Sequence, residues 1–211
     1  MLGFQGHADW RDMSEYLVHL THRESFWSIL SEGQIAAGGP YGTARNLSLG
    51  DSQRGVCLSE IPLDRLDRLA ERHGTYGIGF HKDWIRDAGG APVAYWRPGT
   101  PAAEAVQELV RDALRGGIDD SDAIWRLTPF VDNPQVGESW AYEFEWEREH
   151  RVIGELYFER ADVVFLFAPA AEHMVWRAEL ARRGWQLPAN AFLDSTWKME
   201  DLQAALAAAD L

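Results

Sequence analysis

The sequence predicts an α+β fold in which strands scattered along the chain assemble one β-sheet with helices beside it. Short runs rich in β-branched and aromatic residues alternate with longer segments of helical periodicity, without a repeat, a low-complexity tract or an obvious linker. A chain of 211 residues that is 46% hydrophobic can bury one full core. We therefore expect a single domain over 1–211, whose last part, 186–211, is a helical extension.

The first half of the chain predicts alternating strands and helices. Tyr16–Thr21 is short and β-rich, and Arg23–Glu32 has apolar residues at helical spacing before Gly33, a typical C-cap residue. Pro62 suits a first helical turn, so a helix is expected over 63–71. Further strands are predicted at 55–61, 76–80 and 92–96, a short helix at 82–88, and at 38–51 a loop long enough to suggest a functional role.

The second half predicts more helix than strand. Residues 101–115 form a clear helix, and another is expected over 119–130 with Asp119 or Asp120 as its N-cap. The segment 139–158 is aromatic and acidic, then mixed apolar, which is consistent with a strand or hairpin. The run VVFLF predicts a buried strand at 163–167, and helices are expected at 170–183 and 197–209.

Charge and cysteine content limit the classes of function. Twenty lysines and arginines against 33 aspartates and glutamates give a formal net charge of −13, which disfavours duplex DNA and anionic membranes as partners. The sequence contains no apolar run of membrane-spanning length, and its N-terminus does not resemble a signal peptide. The single cysteine, Cys57, fits a reducing compartment. We expect a cytoplasmic protein with a buried, structural cysteine.

The predicted first strand carries the first candidate for chemistry, the sequence VHLTH at 18–22. Strand alternation puts His19 and Thr21 on one face and the two apolar residues on the other, so an imidazole and a hydroxyl would face a cleft. Such groups can hydrogen-bond a ribose diol or an amide edge. Alternatively, Thr21 and Glu24 form a capping box for the following helix, and His22 is an exposed helix-start residue.

The sequence EWEREHR at 145–151 is the second candidate, because it is dense in carboxylates. If the segment is extended, Glu145, Glu147 and Glu149 line one face together with Arg151. Neighbouring carboxylates can hold a ribose hydroxyl and stabilise an oxocarbenium-like transition state. The alternative is a solvated edge strand with an ion pair within the strand.

The third candidate is the pair of arginines, Arg45 and Arg54, that precedes the strand predicted at 55–61. An arginine fork suits a pyrophosphate bidentately. Surface arginines are common, so this pattern alone does not identify a site. No metal site is expected, because His19 and His22 lack Cys or His partners of the kind that hold zinc.

These segments resemble two groups of proteins. The 18–22 motif, followed by SFWSIL at 25–30, resembles the opening of DarT-type ADP-ribosyltransferases, whose first strand carries a histidine, a threonine and a second histidine. VCLSEIPL at 56–63, YGIGF at 76–80 and KDW at 82–84 are similar to the AbiGi abortive-infection proteins of phage defence. The Glu-x-Glu-His-Arg run at 147–151 is similar to a Glu-x-Glu-Trp-Arg element of that group, with His150 in place of the tryptophan.

The resemblance implies an ADP-ribosyltransferase-like split sheet that binds NAD as substrate between its halves. It implies Glu149 as the catalytic carboxylate, Glu147 as its neighbour and Arg54 as the assisting arginine, with Arg45 as the alternate. Residues implied to contact NAD are His19, Thr21, His22, Arg45, Arg54 and Tyr76.

The expected function is therefore an NAD-dependent ADP-ribosyltransferase-like effector in phage defence or in a toxin–antitoxin system. The ADP-ribose acceptor would be a protein, a nucleic acid or a small molecule, and a cognate antitoxin or a phage protein is the expected binding partner. Two alternatives use the same fold. One is a non-catalytic phage-sensing or antitoxin-like module whose tryptophan-rich surface is the working part, and the other is an NAD glycohydrolase with water as acceptor.

Overall fold

The computed structural model describes residues 14–119, 121–133, 135–136, 141–142, 144–185 and 191–208. Helices and strands alternate within these residues, so the α+β class is confirmed. The strands are β1 (Tyr16–Thr21), β2 (Gln34–Ile35), β3 (Gly55–Ser59), β4 (Tyr76–His81), β5 (Ala91–Pro92), β6 (Ala94–Tyr95), β7 (Val131–Asp132), β8 (Gln135–Val136), β9 (Ala141–Tyr142), β10 (Glu149–Ile153), β11 (Leu156–Tyr157), β12 (Val163–Phe167) and β13 (Phe192–Leu193). The helices are α1 (Arg23–Glu32), α2 (Asp67–His73), α3 (Lys82–Asp87), α4 (Pro101–Arg115), α5 (Ala123–Leu127), α6 (His173–Arg182) and α7 (Met199–Ala208).

The contacts among these elements divide the chain into two compact units. Unit 1 takes the described parts of 1–34, 58–85 and 157–211, and unit 2 takes those of 35–57 and 86–156. The single domain expected over 1–211 and the extension at 186–211 stay predictions. Helix α7 lies in that extension, while 186–190 and 209–211 are outside the described residues.

Unit 1 is built on a mixed sheet. Strand β4 lies between β1 and β12 and is antiparallel to both, and β13 joins β12 in parallel. The other edge of β1 pairs Val18 with Ser59 of β3. Long apolar side chains fill the core of this unit, among them Leu17, Phe26, Ile78, Phe80, Phe165, Phe167 and Phe192, each fully or almost fully buried.

Unit 2 is smaller and has more irregular structure. Strand β10 lies between the Gly55–Cys57 part of β3 and the antiparallel β5. Beside them, β6 pairs in parallel with β7 and aligns Tyr95 with Asp132. Its apolar core centres on Trp125, which is 1% exposed and packs with Ala44 and Leu49 of the long loop.

Strand β1 has the alternation that the sequence predicts. Val18 and Leu20 are buried, whereas His19 and Thr21 are partly exposed. Helix α1 ends as expected, since Gly33 has a φ of 64° and donates its N–H to a carbonyl of the last turn. The capping-box alternative is wrong, because the N-cap is His22 and its side chain makes no capping hydrogen bond.

Two expectations about secondary structure are corrected. The helix predicted over 119–130 begins only after Asp122, because the Asp119 carboxylate accepts hydrogen bonds from the backbone and hydroxyl of Ser121 and so makes a turn. Asp120 lies outside the described residues. The pattern at 92–96 gives two short strands, β5 and β6, because each pairs with a different partner. Within the part of the chain that the structure describes, no helix is long and apolar enough to cross a membrane.

The two glycines of β4 permit close packing on both neighbouring strands. A Cβ added to Gly77 would lie 2.6 Å from the carbonyl oxygen of His19, and one added to Gly79 would lie 2.0 Å from Cε2 of Phe165. The Phe165 ring is fully buried and contacts Tyr16 and Phe167, so it has little room to move.

We therefore expect Gly79→Ala to lower the free energy of unfolding by about 1–3 kcal/mol, through overpacking against this ring. Gly116→Ala is the matched control, since Gly116 has a φ of −78° and its Cβ would meet only one atom, at 3.6 Å. The control is expected to leave stability unchanged or raise it by up to about 1 kcal/mol. Urea unfolding measures both; equal losses in the two variants would contradict the packing described for β4.

Candidate functional site

The predicted site residues divide between the two units. Unit 1 holds His19, Thr21, His22 and Tyr76, and unit 2 holds Arg45, Arg54, Glu147 and Glu149. In unit 1 the pairing of β1 with β4 sets Thr21 opposite Tyr76 and His19 opposite Ile78. Sheet register thus brings together two of the four predicted residues of that unit, Thr21 and Tyr76, while His22 is exposed at the start of α1.

The Tyr76 side chain is engaged within unit 1. Its hydroxyl donates to Oε2 of Glu172 at 2.9 Å, and its ring contacts Phe26 and Trp176. Burial, together with the hydrogen bond to Glu172, raises the pKa of the phenol. Tyr76 therefore helps to fix the start of α6, and its role as an NAD contact stays a prediction.

In unit 2 the segment 145–151 is extended only from Glu149 onward, so the predicted face of four aligned side chains is wrong. Residues 144–147 form a turn of 3₁₀-helix, and Arg148 adopts a φ of 47°, which redirects the chain into β10. Only Glu149 and Arg151 then share a strand face. Glu145 is exposed and Glu147 is buried, at 5% exposure, on the helical turn.

The Arg151 guanidinium is buried against the Glu149 carboxylate. Nε of Arg151 donates to Oε1 of Glu149 at 2.7 Å and Nη2 donates to Oε2 at 3.0 Å, which makes the pair bidentate. The hydroxyl of Tyr95 donates a hydrogen bond to the same Oε2. Both Glu149 oxygens are therefore engaged, and the residue is 7% exposed.

A second carboxylate lies on the other side of this guanidinium. Nη2 of Arg151 is 3.2 Å from Oδ2 of Asp132, and Nη1 donates to the carbonyl of Pro129 at 2.6 Å. Oδ1 of Asp132 is ion-paired with Nη2 of Arg45, and Oδ2 also accepts from the backbone N–H of Gly42. We call Arg45, Tyr95, Asp132, Glu149 and Arg151 the Arg151 cluster.

The loop predicted at 38–51 supplies one edge of this cluster. Gly42 has a φ of 78°, and a Cβ there would lie 1.9 Å from the carbonyl oxygen of Thr128, so only glycine allows this approach. The same loop places the Tyr41 ring 4.6 Å from Cζ of Arg151, in cation–π geometry. Arg45 also lies on this loop and is ion-paired with Asp132. The arginine that was predicted to bind pyrophosphate therefore has a structural role in this cluster.

Arg54 lies outside the Arg151 cluster. Its side chain is exposed, and Nη2 donates to the carbonyl oxygen of Ala37 at 3.0 Å. Of the two candidate arginines, the structure therefore brings Arg45, and not Arg54, to the carboxylate network of unit 2.

The cluster holds its neighbours in fixed protonation states. Burial, and next the charge of Glu149, raises the pKa of the Cys57 thiol and of the Tyr95 phenol, so both stay neutral at physiological pH. Burial alone would lower the pKa of Arg151, but the hydrogen bonds and charge of Glu149 raise it. The sequence expectation of a structural cysteine agrees with this environment, although Cys57 keeps some solvent exposure.

In the Arg151 cluster each carboxylate is paired with an arginine. The ion pair within the strand, expected as the alternative for 145–151, is confirmed between Glu149 and Arg151. The solvated edge strand of that alternative is wrong, because β10 lies between two strands and these two side chains are at most 7% exposed. Such a network fixes backbone geometry, and it gives both oxygens of the Glu149 carboxylate donors from the protein itself.

Sequence reasoning missed Tyr95 and Asp132. Each lies in a two-residue strand, too short for periodicity to reveal, and their alignment arises from the parallel pairing of β6 with β7. The alternation of Glu149 and Arg151 was a usable signal for their mutual contact, but it did not indicate that the pair is buried.

The protonation of Cys57 offers a direct test of the cluster. We expect the pH midpoint of its alkylation by iodoacetamide to lie above the value near 8.5 of an unperturbed thiol. The same chain unfolded in urea is the control, and because the chain has a single cysteine the signal is unambiguous. Glu149→Gln removes the second cause of the shift and should lower the midpoint. A native midpoint equal to that of the unfolded chain would contradict the described environment.

The comparisons with known proteins agree with part of the sequence resemblance. A family described as "Putative abortive phage resistance protein AbiGi, antitoxin" matches residues 42–166, a span that includes every member of the Arg151 cluster. No curated protein and no solved structure matches the chain. The match covers more than half of the 211 residues, and it confirms the AbiGi part of the resemblance. The chain belongs to the AbiGi family of abortive phage resistance proteins.

Proposed function

We propose that this chain is the antitoxin of an abortive phage-resistance system and that it acts by binding a partner, without catalysing a reaction. The observation that carries this proposal is that both carboxylate oxygens of Glu149 are already engaged inside the protein. A carboxylate that stabilises an oxocarbenium-like transition state must direct its charge and an oxygen toward the reacting ribose. In this chain both oxygens accept hydrogen bonds from buried donors, Arg151 and Tyr95.

The electrostatics of the cluster support the same conclusion. The cation of Arg151 lies within 3.0 Å of Glu149 and offsets part of the carboxylate charge that would have to stabilise a cationic transition state. Pulling Arg151 away would leave two buried carboxylates, Glu149 and Asp132, without that cation, at a cost of several kcal/mol. The family description, which names an antitoxin, is consistent with a binding role.

A second candidate is the NAD-cleaving ADP-ribosyltransferase implied by the Glu-x-Glu pattern. The observation in its favour is that Glu147 and Glu149 are both buried carboxylates, two positions apart, within the span that the family matches. In this candidate NAD would have to displace Arg151 from Glu149, and Arg45 or Arg54 would bind its pyrophosphate. An NAD glycohydrolase requires the same residues and differs only in using water as acceptor.

Bacterial growth and nicotinamide release separate the two candidates. We expect the wild-type chain, expressed alone, to leave growth unchanged, and to restore growth when it is co-expressed with the toxin of its own system. The purified chain, incubated with NAD labelled on nicotinamide, is expected to release no label beyond the protein-free background.

The transferase predicts the opposite pattern. Wild type would arrest growth and release nicotinamide, and Glu149→Gln would lose both effects by about 100-fold or more. Glu145→Gln is the matched control on the same segment, because its side chain is exposed. Thermal unfolding of each variant establishes that a loss of activity is not a loss of folding. Nicotinamide release that Glu149→Gln abolishes and Glu145→Gln preserves would overturn the antitoxin proposal.

A further inference from the structure

A groove runs between α1 and α6 of unit 1, and none of the residues discussed as catalytic lines it. Two adjoining depressions form it, of about 480 and about 160 Å³, and they share Trp27 and Arg183 in their walls. We call these two depressions the α1–α6 groove. Of the residues that line it, all but Arg160 lie outside the span 42–166 that the AbiGi family matches.

Tryptophans make the floor and one wall of the groove. Trp176 and Trp185 are each 7% exposed and form its base, while Trp27 is partly exposed above them. The ring centroids of Trp27 and Trp176 are 5.9 Å apart. At the open end Val175 is 62% exposed, so the groove offers both aromatic and aliphatic surface to a partner.

Each of these tryptophans is covered by an arginine. Cζ of Arg183 lies 4.0 Å from the centroid of Trp27. Arg160 lies 5.4 Å from Trp185, and Arg23 lies 5.9 Å from Trp176. A guanidinium stacked on an indole keeps its N–H donors at its edge, where a carboxylate can accept two of them.

The groove has a local excess of positive charge. Four arginines and two glutamates line it, in a chain whose net charge is −13. Arg182 and Arg183 both pair with the one carboxylate of Glu179. A third depression, which continues past Trp185, is lined by two further glutamates, so the excess is confined to the part between α1 and α6.

Contacts beneath the groove hold it in shape before any partner arrives. Oε2 of Glu172 accepts from the Tyr76 hydroxyl, from Nε1 of Trp176 at 3.1 Å and from Nε of Arg23 at 3.3 Å. Burial opposes ionisation of Glu172, but the hydrogen bonds from Tyr76 and Trp176 outweigh it and lower the pKa of the carboxyl. A prearranged groove loses less conformational entropy on binding.

We infer that the α1–α6 groove binds a segment of a partner protein in which carboxylates alternate with apolar side chains. This inference rests on the proposed binding function and names the face that performs it. Tryptophan and arginine are the residue types most enriched where binding energy concentrates in protein interfaces. A nucleic acid fits less well, because its backbone carries a charge at every nucleotide and a chain of net charge −13 repels that density more strongly than it repels a few carboxylates among apolar side chains.

Selection from random peptides of about 16 residues, displayed on phage and panned on the wild-type chain, tests the stated chemistry. We expect enriched sequences to carry Asp or Glu beside Leu, Phe or Trp. A selected peptide, labelled with fluorescein, should lose about tenfold or more in affinity for Arg183→Glu and for Trp27→Ala. Arg183 is an exposed side chain, so its substitution is not expected to affect folding.

Matched controls lie elsewhere in unit 1. Arg65→Glu makes the same charge change at an arginine that is 77% exposed and outside the groove, and Trp84→Ala removes a partly exposed tryptophan on α3. Both should change the affinity by less than about twofold, since neither residue lines the groove. Replacing the carboxylates of the peptide by amides should abolish binding to wild type.

Several outcomes would overturn the inference. These are a failure to enrich any peptide, enrichment of basic peptides, affinities equal in the groove variants and the controls, or tighter binding of a labelled oligothymidylate than of the peptide. Toxin neutralisation separates this failure from that of the proposed function. If Arg183→Glu and Trp27→Ala neutralise the toxin as well as wild type does, the groove assignment fails alone; if wild type does not neutralise it, the antitoxin proposal fails.

Discussion

Unit 2 depends on one buried cation, the Arg151 guanidinium. It holds Glu149 on its own strand, Asp132 on β7 and the carbonyl of Pro129, so it joins segments that are distant in sequence. Taking such charges out of water costs several kcal/mol per ion, and the cost is recovered only when every donor and acceptor is paired. The loop turn at Gly42 and the positive φ of Arg148 are local backbone features that let the chain reach this arrangement.

The arginines of unit 2 and those of the α1–α6 groove differ in what surrounds them. In unit 2 the charges of Glu149 and Asp132 are compensated by Arg151 and Arg45 inside the protein, and the Cys57 thiol and the Tyr95 phenol are neutral. In unit 1 the arginines of the α1–α6 groove are exposed and in local excess, and Arg23, Arg160 and Arg183 lie over tryptophans. The arginines of the Arg151 cluster therefore stabilise the fold. The arginines of the α1–α6 groove remain accessible to a partner.

The sequence predicted elements whose physics is local. Strand β1 was predicted from the alternation in its sequence, and helix α1 was predicted from its apolar spacing and from the glycine that ends it. These patterns were sufficient because each depends on neighbours a few residues apart. The site was predicted less well. Asp132 and Tyr95 meet the 149–151 strand through pairings that cross long stretches of chain, and the turn at Arg148 broke the assumed alternation. Burial is predicted from the spacing of apolar residues, so the sequence could not show that the charged pair Glu149 and Arg151 is buried.

A double-mutant cycle on Glu149 and Arg151 tests the central claim that this pair is structural. Urea unfolding of Glu149→Gln, Arg151→Met and the combined variant gives the coupling free energy directly. We expect each single change to cost about 3 kcal/mol and the pair to cost little more than one of them, a coupling above about 1.5 kcal/mol. The exposed pair Arg115–Asp112 serves as the control and should couple by no more than about 0.5 kcal/mol. Additive costs at Glu149 and Arg151, with a coupling as small as that of the control, would contradict the account.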